Sequence, residues 1–242
     1  MSLSSEKLLE ALTKAGLESY FLPDSLSALT QFSIKMLQIN ETLNLTRWTE
    51  DEAFLNFHLL DSAYGLPVIK PLLKGPQRWM DLGTGCGFPG AVLMAAFPEI
   101  EVTLMDSVAK KIKAMEECLL AANWTAKTLI GRAEELGQNS QTRETWDGIT
   151  ARAVADFRVV LEYAIPLLKT GGYLVNWMTE DQLSIVDKSQ RALDLLQCKI
   201  VQKTPYSLPG LSQSRYFVMV EKLGKTSPSY PRPVGMPSKN PL

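Results

Sequence analysis

An aspartate followed by glycines at alternate positions is the clearest chemical signal in the chain. The run from Trp79 to Gly90 reads WMDLGTGCGFPG, with Asp81 as the aspartate. Glycine permits a sharp backbone turn and lets a ligand approach the chain without a Cβ in the way. The apolar residues before Asp81 favour a strand, and the run from Ala91 to Ala96 favours a helix. Together they predict the first strand, turn and helix of a nucleotide-binding α/β domain.

The glycines fit two ligand-binding patterns. A dinucleotide fingerprint GxGxxG begins at Gly85, and a methyltransferase pattern GxGxG begins at Gly83 behind Asp81. Asp81 would repel a pyrophosphate and attract an ammonium group, and Pro89 removes an amide donor at the helix start. S-adenosylmethionine, a nucleoside joined to an amino acid without a phosphate, matches these requirements. Asp81 and Pro89 therefore favour S-adenosylmethionine over NAD as the cofactor. A glycine turn that binds no ligand is the third possibility.

Acidic residues follow the next two predicted strands. Asp106 ends the apolar run 102–105, where a carboxylate accepts hydrogen bonds from both ribose hydroxyls in doubly wound folds. The same side chain could also cap the helix that begins near Val108, and the two roles are compatible. Ala133 and Glu134 follow the third strand, where a backbone amide beside an acid could read an adenine ring. These positions place candidate ligand contacts along one edge of the sheet.

Three other side chains have reactive types but open roles. Arg152 ends the fourth strand and could pair with a carboxylate or a phosphate, although a structural salt bridge explains it equally well. His58, the single histidine, is more typical of a packed or surface residue than of a base. Cys86 lies in the glycine turn, under the expected cofactor rather than beside a substrate. We therefore interpret Cys86 as a small filler.

Alternating patterns predict a doubly wound α/β fold with a mainly parallel seven-stranded sheet. The strands are predicted over 78–82, 101–106, 126–130, 146–151, 173–177, 198–203 and 215–221. The helices are predicted over 89–97, 108–122, 156–168 and 180–195. Only a loop containing proline and glycine separates the last two strands, so they could pair antiparallel at one edge of the sheet.

Three segments are predicted along the 242 residues. Residues 1–75 form a helical N-terminal extension, because apolar residues recur at helical spacing and a breaker-rich stretch follows. Residues 76–223 form the nucleotide-binding domain. Residues 224–242 hold five prolines and little apolar periodicity, which predicts a flexible tail.

The composition bears on nucleic-acid binding, metal binding and cellular location. The net charge of −1 does not by itself indicate a nucleic-acid binder, although basic residues outnumber acids from Lys203 onward. Three separated cysteines and one histidine predict no metal site. A polar N-terminus and short apolar runs predict a cytoplasmic protein without a membrane segment.

Ordered sequence blocks resemble the bacterial 16S ribosomal RNA methyltransferase G family, also called glucose-inhibited division protein B. The blocks span about residues 24 to 222, and their order is far more specific than the glycine turn alone. They read NLT at 44–46, HLLDS at 58–62, DLGTGCGFPG at 81–90, VTLMDS at 102–107, RAEE at 132–135, DGITARAV at 147–154 and PLLK at 166–169.

The resemblance implies a class I, Rossmann-like methyltransferase that uses S-adenosylmethionine to methylate N7 of a guanine. The substrate would be small-subunit ribosomal RNA or an assembling 30S subunit, and the protein is expected to be a monomer. The implied cofactor contacts are Gly83, Phe88, Asp106, Ser107, Val108, Ala133, Glu134 and Arg152. The implied substrate or active-site contributors are Asn44, His58, Arg152 and Arg215.

One position departs from the family pattern. Members usually carry a lysine near the end of the strand after Gly172, but here that strand reads YLVNWMT. A contribution of that lysine to RNA binding is therefore in doubt, and Arg158 or Lys169 could replace it. The alternatives to an RNA methyltransferase are a non-catalytic ribosome-assembly protein, an NAD-dependent oxidoreductase and a small-molecule methyltransferase.

Overall fold

A seven-stranded sheet forms the centre of the computed structural model, which describes residues 3–242. The spatial order of its strands is β3-β2-β1-β4-β5-β7-β6. The first five strands run parallel, and β7 lies antiparallel between β5 and β6, as expected for the last pair. The strands are β1 (Arg78–Leu82), β2 (Glu101–Asp106), β3 (Lys127–Ile130), β4 (Trp146–Arg152), β5 (Leu168–Thr179), β6 (Cys198–Tyr206) and β7 (Arg215–Lys222).

Helices precede the sheet, connect its parallel strands and follow its last strand. A π-helical turn, Leu55–Leu60, joins α3 to α4. The helices are α1 (Ser5–Lys14), α2 (Pro23–Leu43), α3 (Asp51–Phe54), α4 (Asp61–Ala63), α5 (Leu66–Ile69), α6 (Gly90–Ala96), α7 (Ala109–Ala121), α8 (Ala133–Gln138), α9 (Phe157–Ala164), α10 (Leu183–Asp187), α11 (Gln190–Leu196) and α12 (Met236–Lys239).

The helices after β3 and after β5 differ from the sequence expectation. α8 follows β3, where no helix is predicted, because six residues are too few for a helical period to show. The pattern over 180–195 forms α10 and α11 with a break between them instead of one helix. The doubly wound α/β class itself is confirmed.

Helices cover both faces of the sheet, as a doubly wound fold requires. On one face, α6 and α7 pack together with α1 and α2 in one hydrophobic core. On the other face, α8, α9 and α11 form a second core. Phe32 of α2 is fully buried and contacts Phe88 in the glycine turn and Trp124 after α7. The N-terminal helices therefore share a core with the sheet, and the boundary at residue 75 stays a prediction.

Residues 224–242, here called the C-terminal segment, are not a free tail. The guanidinium of Arg232 pairs with both oxygens of Glu162, which is fully buried in α9. Arg143 lies before β4 and donates hydrogen bonds to three carbonyls of the segment, those of Thr226, Ser227 and Tyr230. The expectation of flexibility fails because side chains some 70 to 90 residues away satisfy this segment's backbone.

Arg232→Ala should destabilise the protein by about 3 kcal/mol, because it leaves the buried carboxylate of Glu162 without its cation. The matched control is Lys225→Ala, an exposed lysine of the same segment, which should change the free energy of unfolding by less than about 0.5 kcal/mol. Urea denaturation measures the free energy of unfolding of both variants and of wild type. Equal, small effects would restore the flexible-tail interpretation.

Candidate active site

The glycine turn adopts the conformation that its sequence predicts. Gly83, Gly85 and Gly87 have φ angles of 68°, 58° and 94°, in the left-handed region that favours glycine. A Cβ at Gly87 would also lie 2.5 Å from the ring of Phe32, so α2 packs directly on the turn. All three glycines of the GxGxG pattern therefore have a backbone conformation in which a side chain would be strained.

Asp81 holds this turn together from beneath. Its carboxylate accepts hydrogen bonds from the hydroxyls of Thr84 (2.7 Å) and Thr150 (2.9 Å) and from the amide of Gly90 (3.1 Å). The side chain is 1% exposed, and burial raises the pKa of its carboxyl group. The expectation that Asp81 attracts a ligand's ammonium group is wrong in its direct form, because these three donors from the protein occupy its carboxylate.

The amides of the turn are also occupied within the protein. Thr84 N donates to Met105 O, Gly85 N to Asp106 Oδ2 and Gly87 N to Thr84 O. Dinucleotide sites instead aim such amides at a pyrophosphate. The turn therefore does not offer these amides as a phosphate cradle.

A pocket of about 230 Å³ opens above the turn at the carboxyl ends of β1, β2 and β4. Six of the eight cofactor residues implied by the resemblance line it, namely Gly83, Asp106, Ser107, Val108, Ala133 and Glu134. Its other lining residues include Lys111, Arg132, Ala153, Val154 and Tyr163. The fold thus brings together residues that lie up to 81 positions apart in sequence, from Leu82 to Tyr163.

Asp106 accepts hydrogen bonds from two backbone amides at the edge of the pocket. Its Oδ1 accepts the amide of Val108, the residue before α7, at 2.9 Å, while Oδ2 accepts the amide of Gly85 at 3.2 Å. The contact of Asp106 with a ribose stays a prediction. Lys111 Nζ approaches Oδ2 at 3.6 Å. Asp106 is 5% exposed and lines the pocket. The end of β2 therefore carries a hydrogen-bond acceptor of fixed orientation.

Glu134 supplies a second buried carboxylate to the pocket. It is 3% exposed, and its Oε1 accepts hydrogen bonds from Gly235 N (3.0 Å) and Tyr163 Oη (3.3 Å). The guanidinium of Arg132 lies 4.0 Å from Oε2. No sequence pattern indicates the contribution of Tyr163, because it lies in the middle of α9 and approaches Glu134 only in the fold.

Phe88 and Arg152 lie outside the lining of this pocket. Phe88 is 3% exposed behind the turn, where its ring stacks on His58 and meets Phe32 and Phe54 edge-on. Arg152 ends β4 but directs its guanidinium away from the pocket, toward the π-helical turn. Any contribution of these two residues to cofactor binding is therefore indirect in this arrangement.

The guanidinium of Arg152 is the centre of a buried polar cluster. It donates to Asp61 Oδ2 (2.8 Å), to the carbonyl of Phe57 (2.9 Å) and to His58 Nδ1 (2.9 Å). The structural salt bridge left open above is thus present, between Arg152 and Asp61. The π-helical turn presents these groups on one side, as π-helical turns often do at functional sites.

Asp61 joins this cluster to β6 and β7. Its Oδ1 accepts the hydroxyl of Tyr206 at 2.6 Å, and Arg215 Nη1 lies 3.6 Å from the same oxygen. Burial and the adjacent Asp61 carboxylate raise the pKa of Tyr206, so its hydroxyl stays protonated. Sequence reasoning does not single out Asp61 or Tyr206. The only signal for Asp61 is its place in the HLLDS block.

His58 is neutral and fully occupied by hydrogen bonds. Burial, with Arg152 as the second cause, lowers its pKa to about 3. A guanidinium is a donor only, so Nδ1 must be the acceptor, and the Nε2 proton then points to Thr46 Oγ1 at 2.7 Å. This assignment makes His58 a positioning residue rather than a proton carrier.

Asn44 and Cys86 differ in their exposure and surroundings. Asn44 is exposed at the end of α2, in a left-handed conformation with φ 49°. Cys86 is buried 3.8 Å from His58 Nδ1, and burial raises the pKa of its thiol. A protonated, buried thiol suits the interpretation of Cys86 as a filler.

Residues 3–242 lack two other kinds of feature, a metal-binding cluster and a membrane-spanning helix. These residues contain no group of three or more histidine, cysteine, aspartate or glutamate side chains that could hold a metal ion. Among the same residues, no helix combines the length and apolarity needed to cross a membrane.

Wild type should lose stability at low pH because the buried His58 stays neutral, and His58→Gln should remove this part of the loss. The unfolded chain binds a proton near pKa 6.5 and the folded chain near 3, so below pH 6.5 the unfolded state binds more protons. The free energy of unfolding therefore decreases by about 1.4 kcal/mol for each unit by which the pH is lowered in this range. Wild type should lose about 2 kcal/mol through this group between pH 7 and pH 5.

Urea denaturation at both pH values, for wild type and His58→Gln, measures this difference. All carboxylates are the same in the two proteins, and His58 is the single histidine. A difference in slope is therefore assigned to this one side chain. Identical pH dependence of the two proteins would contradict the buried, neutral state of His58.

Solved structures of similar fold support the architecture. The YcgJ protein from Bacillus subtilis superposes with a TM-score of 0.53 at 13% identity, over 69% of this chain and all of that chain. A methyltransferase from Pyrococcus furiosus gives a TM-score of 0.51 at 14% identity, over 67% and 83% of the two chains. At such low identity the likeness shows the shared fold alone.

Sequence relatives extend over nearly the whole chain. A ribosomal RNA small subunit methyltransferase G from Desulfitobacterium hafniense strain Y51 is 36% identical over 238 residues, which is 98% of each chain. One from Leuconostoc mesenteroides is 33% identical over 242 residues, covering 99% of this chain and 100% of the relative. The family model described as rRNA small subunit methyltransferase G, or GidB, matches residues 25–210. The protein therefore belongs to the rRNA small subunit methyltransferase G family.

Proposed function

We propose that the protein transfers a methyl group from S-adenosylmethionine to N7 of a guanine in small-subunit ribosomal RNA. One observation carries the cofactor assignment. The pocket presents two buried carboxylates, Asp106 and Glu134, while three amides of the glycine turn are consumed internally. Carboxylates are acceptors only, so the pocket suits hydroxyl and amine donors and disfavours a pyrophosphate.

The pocket residues fit the parts of a nucleoside joined to an amino acid. Asp106 lies at the end of β2, where its oxygens can accept the ribose hydroxyls, and Glu134 with the amide of Ala133 suits the edge of a purine. Gly83, Ser107 and Val108 would supply backbone contacts around them. When bound, the cofactor supplies an electrophilic methyl group on a sulfonium. Phe88 and Arg152 would act through the turn and the π-helical turn that they support.

Methylation at N7 of guanine needs no general base. The N7 lone pair lies in the plane of the ring, and no proton has to leave before attack. The neutral His58, with both ring nitrogens occupied, is consistent with such chemistry. Holding the two reactants in line can lower the activation free energy by about 7–11 kcal/mol. The residues around the pocket would therefore act by orientation.

The RNA side of the site is assigned to Asn44, Arg215 and the cluster around Asp61. Arg215 is the more exposed of the two arginines on Asp61, with 26% of its side chain exposed against 11% for Arg152. It is the better candidate for a phosphate contact, and Arg152 the better candidate for positioning. A single-stranded or splayed guanine would suit this site. We assign the protein as a monomer that acts on the RNA or an assembling 30S subunit in the cytoplasm.

Lys169 is a poor replacement for the family lysine. It lies at the start of β5 and pairs with Asp147, at the edge of the sheet opposite the pocket. Arg158 lies at the start of α9, next to the carboxyl end of β4, where it pairs with Asp156. Of the two, Arg158 is the candidate for RNA binding.

Transfer of labelled methyl from S-adenosylmethionine to small-subunit ribosomal RNA tests the proposal. The RNA is offered naked and as 30S subunits, and nucleoside mass analysis follows. A 7-methylguanosine product is expected, and the preferred substrate form reports the assembly state. Intact cofactor binding without transfer to either form would favour a ribosome-assembly role or a small-molecule acceptor.

Asp106→Ala and Arg215→Ala should affect different steps. Asp106→Ala should weaken cofactor binding about tenfold or more, because it removes a charged acceptor from the pocket. Arg215→Ala should leave cofactor affinity within about twofold and lower kcat/KM for RNA about tenfold. Calorimetry and methyl transfer measure the two effects.

Lys127→Ala is the matched control for the loss of one positive charge. Lys127 lies at the start of β3, at the opposite edge of the sheet from the pocket, and pairs with Glu101. Lys127→Ala should change neither the affinity for the cofactor nor kcat/KM for RNA. Equal loss of cofactor binding in the Asp106 and Arg215 variants would refute the division of roles.

A further inference from the structure

The C-terminal segment ends against the wall of the cofactor pocket. Gly235 N donates a hydrogen bond to Glu134 Oε1 at 3.0 Å, and Ser238 Oγ lies 3.0 Å from Tyr163 Oη. Glu134 and Tyr163 both line the pocket. The segment thus reaches the pocket through Glu134, which the proposed function places at the edge of the purine, and through Tyr163, which that proposal gives no role.

The hydrogen bonds of Glu134 are divided unequally between its two oxygens. Oε1 accepts from Gly235 N and from Tyr163 Oη, which uses both lone-pair positions of that oxygen. Oε2 accepts no hydrogen bond from residues 3–242 and forms one ion pair, with the guanidinium of Arg132 at 4.0 Å. The carboxylate is therefore fixed by one oxygen and retains acceptor capacity on the other.

We propose that residues 235–242 are a positioning element of the cofactor site, which fixes Glu134 so that Oε2 accepts the exocyclic amine of a purine. The inference rests on the proposed use of S-adenosylmethionine. It deepens that function by assigning recognition of the amine to a carboxylate whose orientation depends on the end of the chain. Gly235 and Ser238 act through Glu134 and Tyr163, so they are positioning residues.

The segment is anchored firmly enough to carry out this role. Arg232 pairs with the buried Glu162 of α9, and its own amide donates to the same carboxylate at 2.7 Å. Gln138, the last residue of α8, donates to the carbonyls of Pro228 and Pro231. These anchors lie on α8 and α9, the helices that also carry Glu134 and Tyr163. The segment therefore joins both helices beside the pocket.

Gly235 donates to Glu134 from a backbone conformation that favours glycine. Its φ is +82°, in the left-handed region, and open space surrounds the position that a Cβ would occupy. A side chain would therefore strain the backbone without causing a collision. The amide direction depends on a conformation that glycine adopts freely, which links the residue type to the orientation of Glu134.

A purely stabilising clamp is the competing interpretation, and the two make different predictions. Loss of a clamp would weaken binding of every ligand of the pocket by the same factor. Loss of an oriented carboxylate would weaken binding of ligands that carry the amine and spare ligands that lack it. The ratio of two affinities therefore separates the interpretations.

The experiment compares wild type with a variant that lacks residues 235–242. This deletion retains the anchors Arg143, Gln138 and Arg232 with all their partners. Calorimetry measures binding of S-adenosylhomocysteine and of the same molecule with hydrogen in place of the exocyclic amine. Wild type should prefer the amine-bearing ligand at least tenfold, and the deletion should reduce that preference to about twofold or less.

Point variants keep the test valid if the deletion destabilises the fold. Gly235→Ala should weaken binding of the amine-bearing ligand several-fold. Gly210→Ala, at a loop glycine with φ +80° and open space around it, is the matched control for backbone strain and should leave binding unchanged. Ser238→Ala should give a smaller loss than Gly235→Ala, because it acts through Tyr163. Thermal unfolding of each variant confirms that it is folded.

The possible outcomes separate the inference from the proposed function. A wild type that binds neither ligand would overturn the cofactor assignment and this inference with it. A wild type that binds both ligands equally, or a deletion that weakens both by the same factor, would overturn the inference alone. Collapse of the preference in the deletion and in Gly235→Ala, but not in Gly210→Ala, would establish it.

Discussion

The buried carboxylate of Asp81 is the interaction on which the site depends. It accepts the hydroxyls of Thr84 and Thr150 and the amide of Gly90, and so ties together the turn, β4 and the start of α6. A buried carboxylate without donors is costly, so these partners must stay in place if it is to remain charged. The turn is therefore held in one shape before any ligand binds. Such preorganisation matters for an enzyme that would work by orientation.

A second carboxylate plays the same part on the other side of the turn. Asp61 accepts from Arg152 of β4 and Tyr206 of β6, and Arg215 of β7 lies beside it. It therefore connects the N-terminal helices to three strand ends of the sheet. His58, fixed by Arg152, continues this network toward Phe88 under the glycine turn. The helical extension and the sheet thus meet in a network of charges as well as in a shared core.

Local signals explain why the sheet and three residues of the pocket lining, Gly83, Asp106 and Glu134, could be predicted from the sequence. Strand alternation and the positive φ of Gly83 depend on neighbouring residues, so composition and spacing reveal them. The Arg152–Asp61 pair and the anchoring of the C-terminal segment depend on residues 70 or more positions apart. No local pattern encodes such partners. A proline-rich stretch without periodicity is read as flexible, although Arg143 and Arg232 provide its missing contacts.

The fold assigns the two kinds of buried charge to different tasks. Asp81 and Asp61 have their oxygens occupied by donors from the protein, so they hold backbone and side chains in place. Asp106 and Glu134 are also oriented by protein donors, but they line the pocket, and Oε2 of Glu134 retains capacity to accept. A carboxylate that is fixed through one oxygen can discriminate between donors better than a mobile one, because no ordering cost is incurred when the ligand binds. The hydrogen bond from Gly235 helps to fix Glu134 in this way, and under the proposal it would link residues 235–242 to recognition of the cofactor.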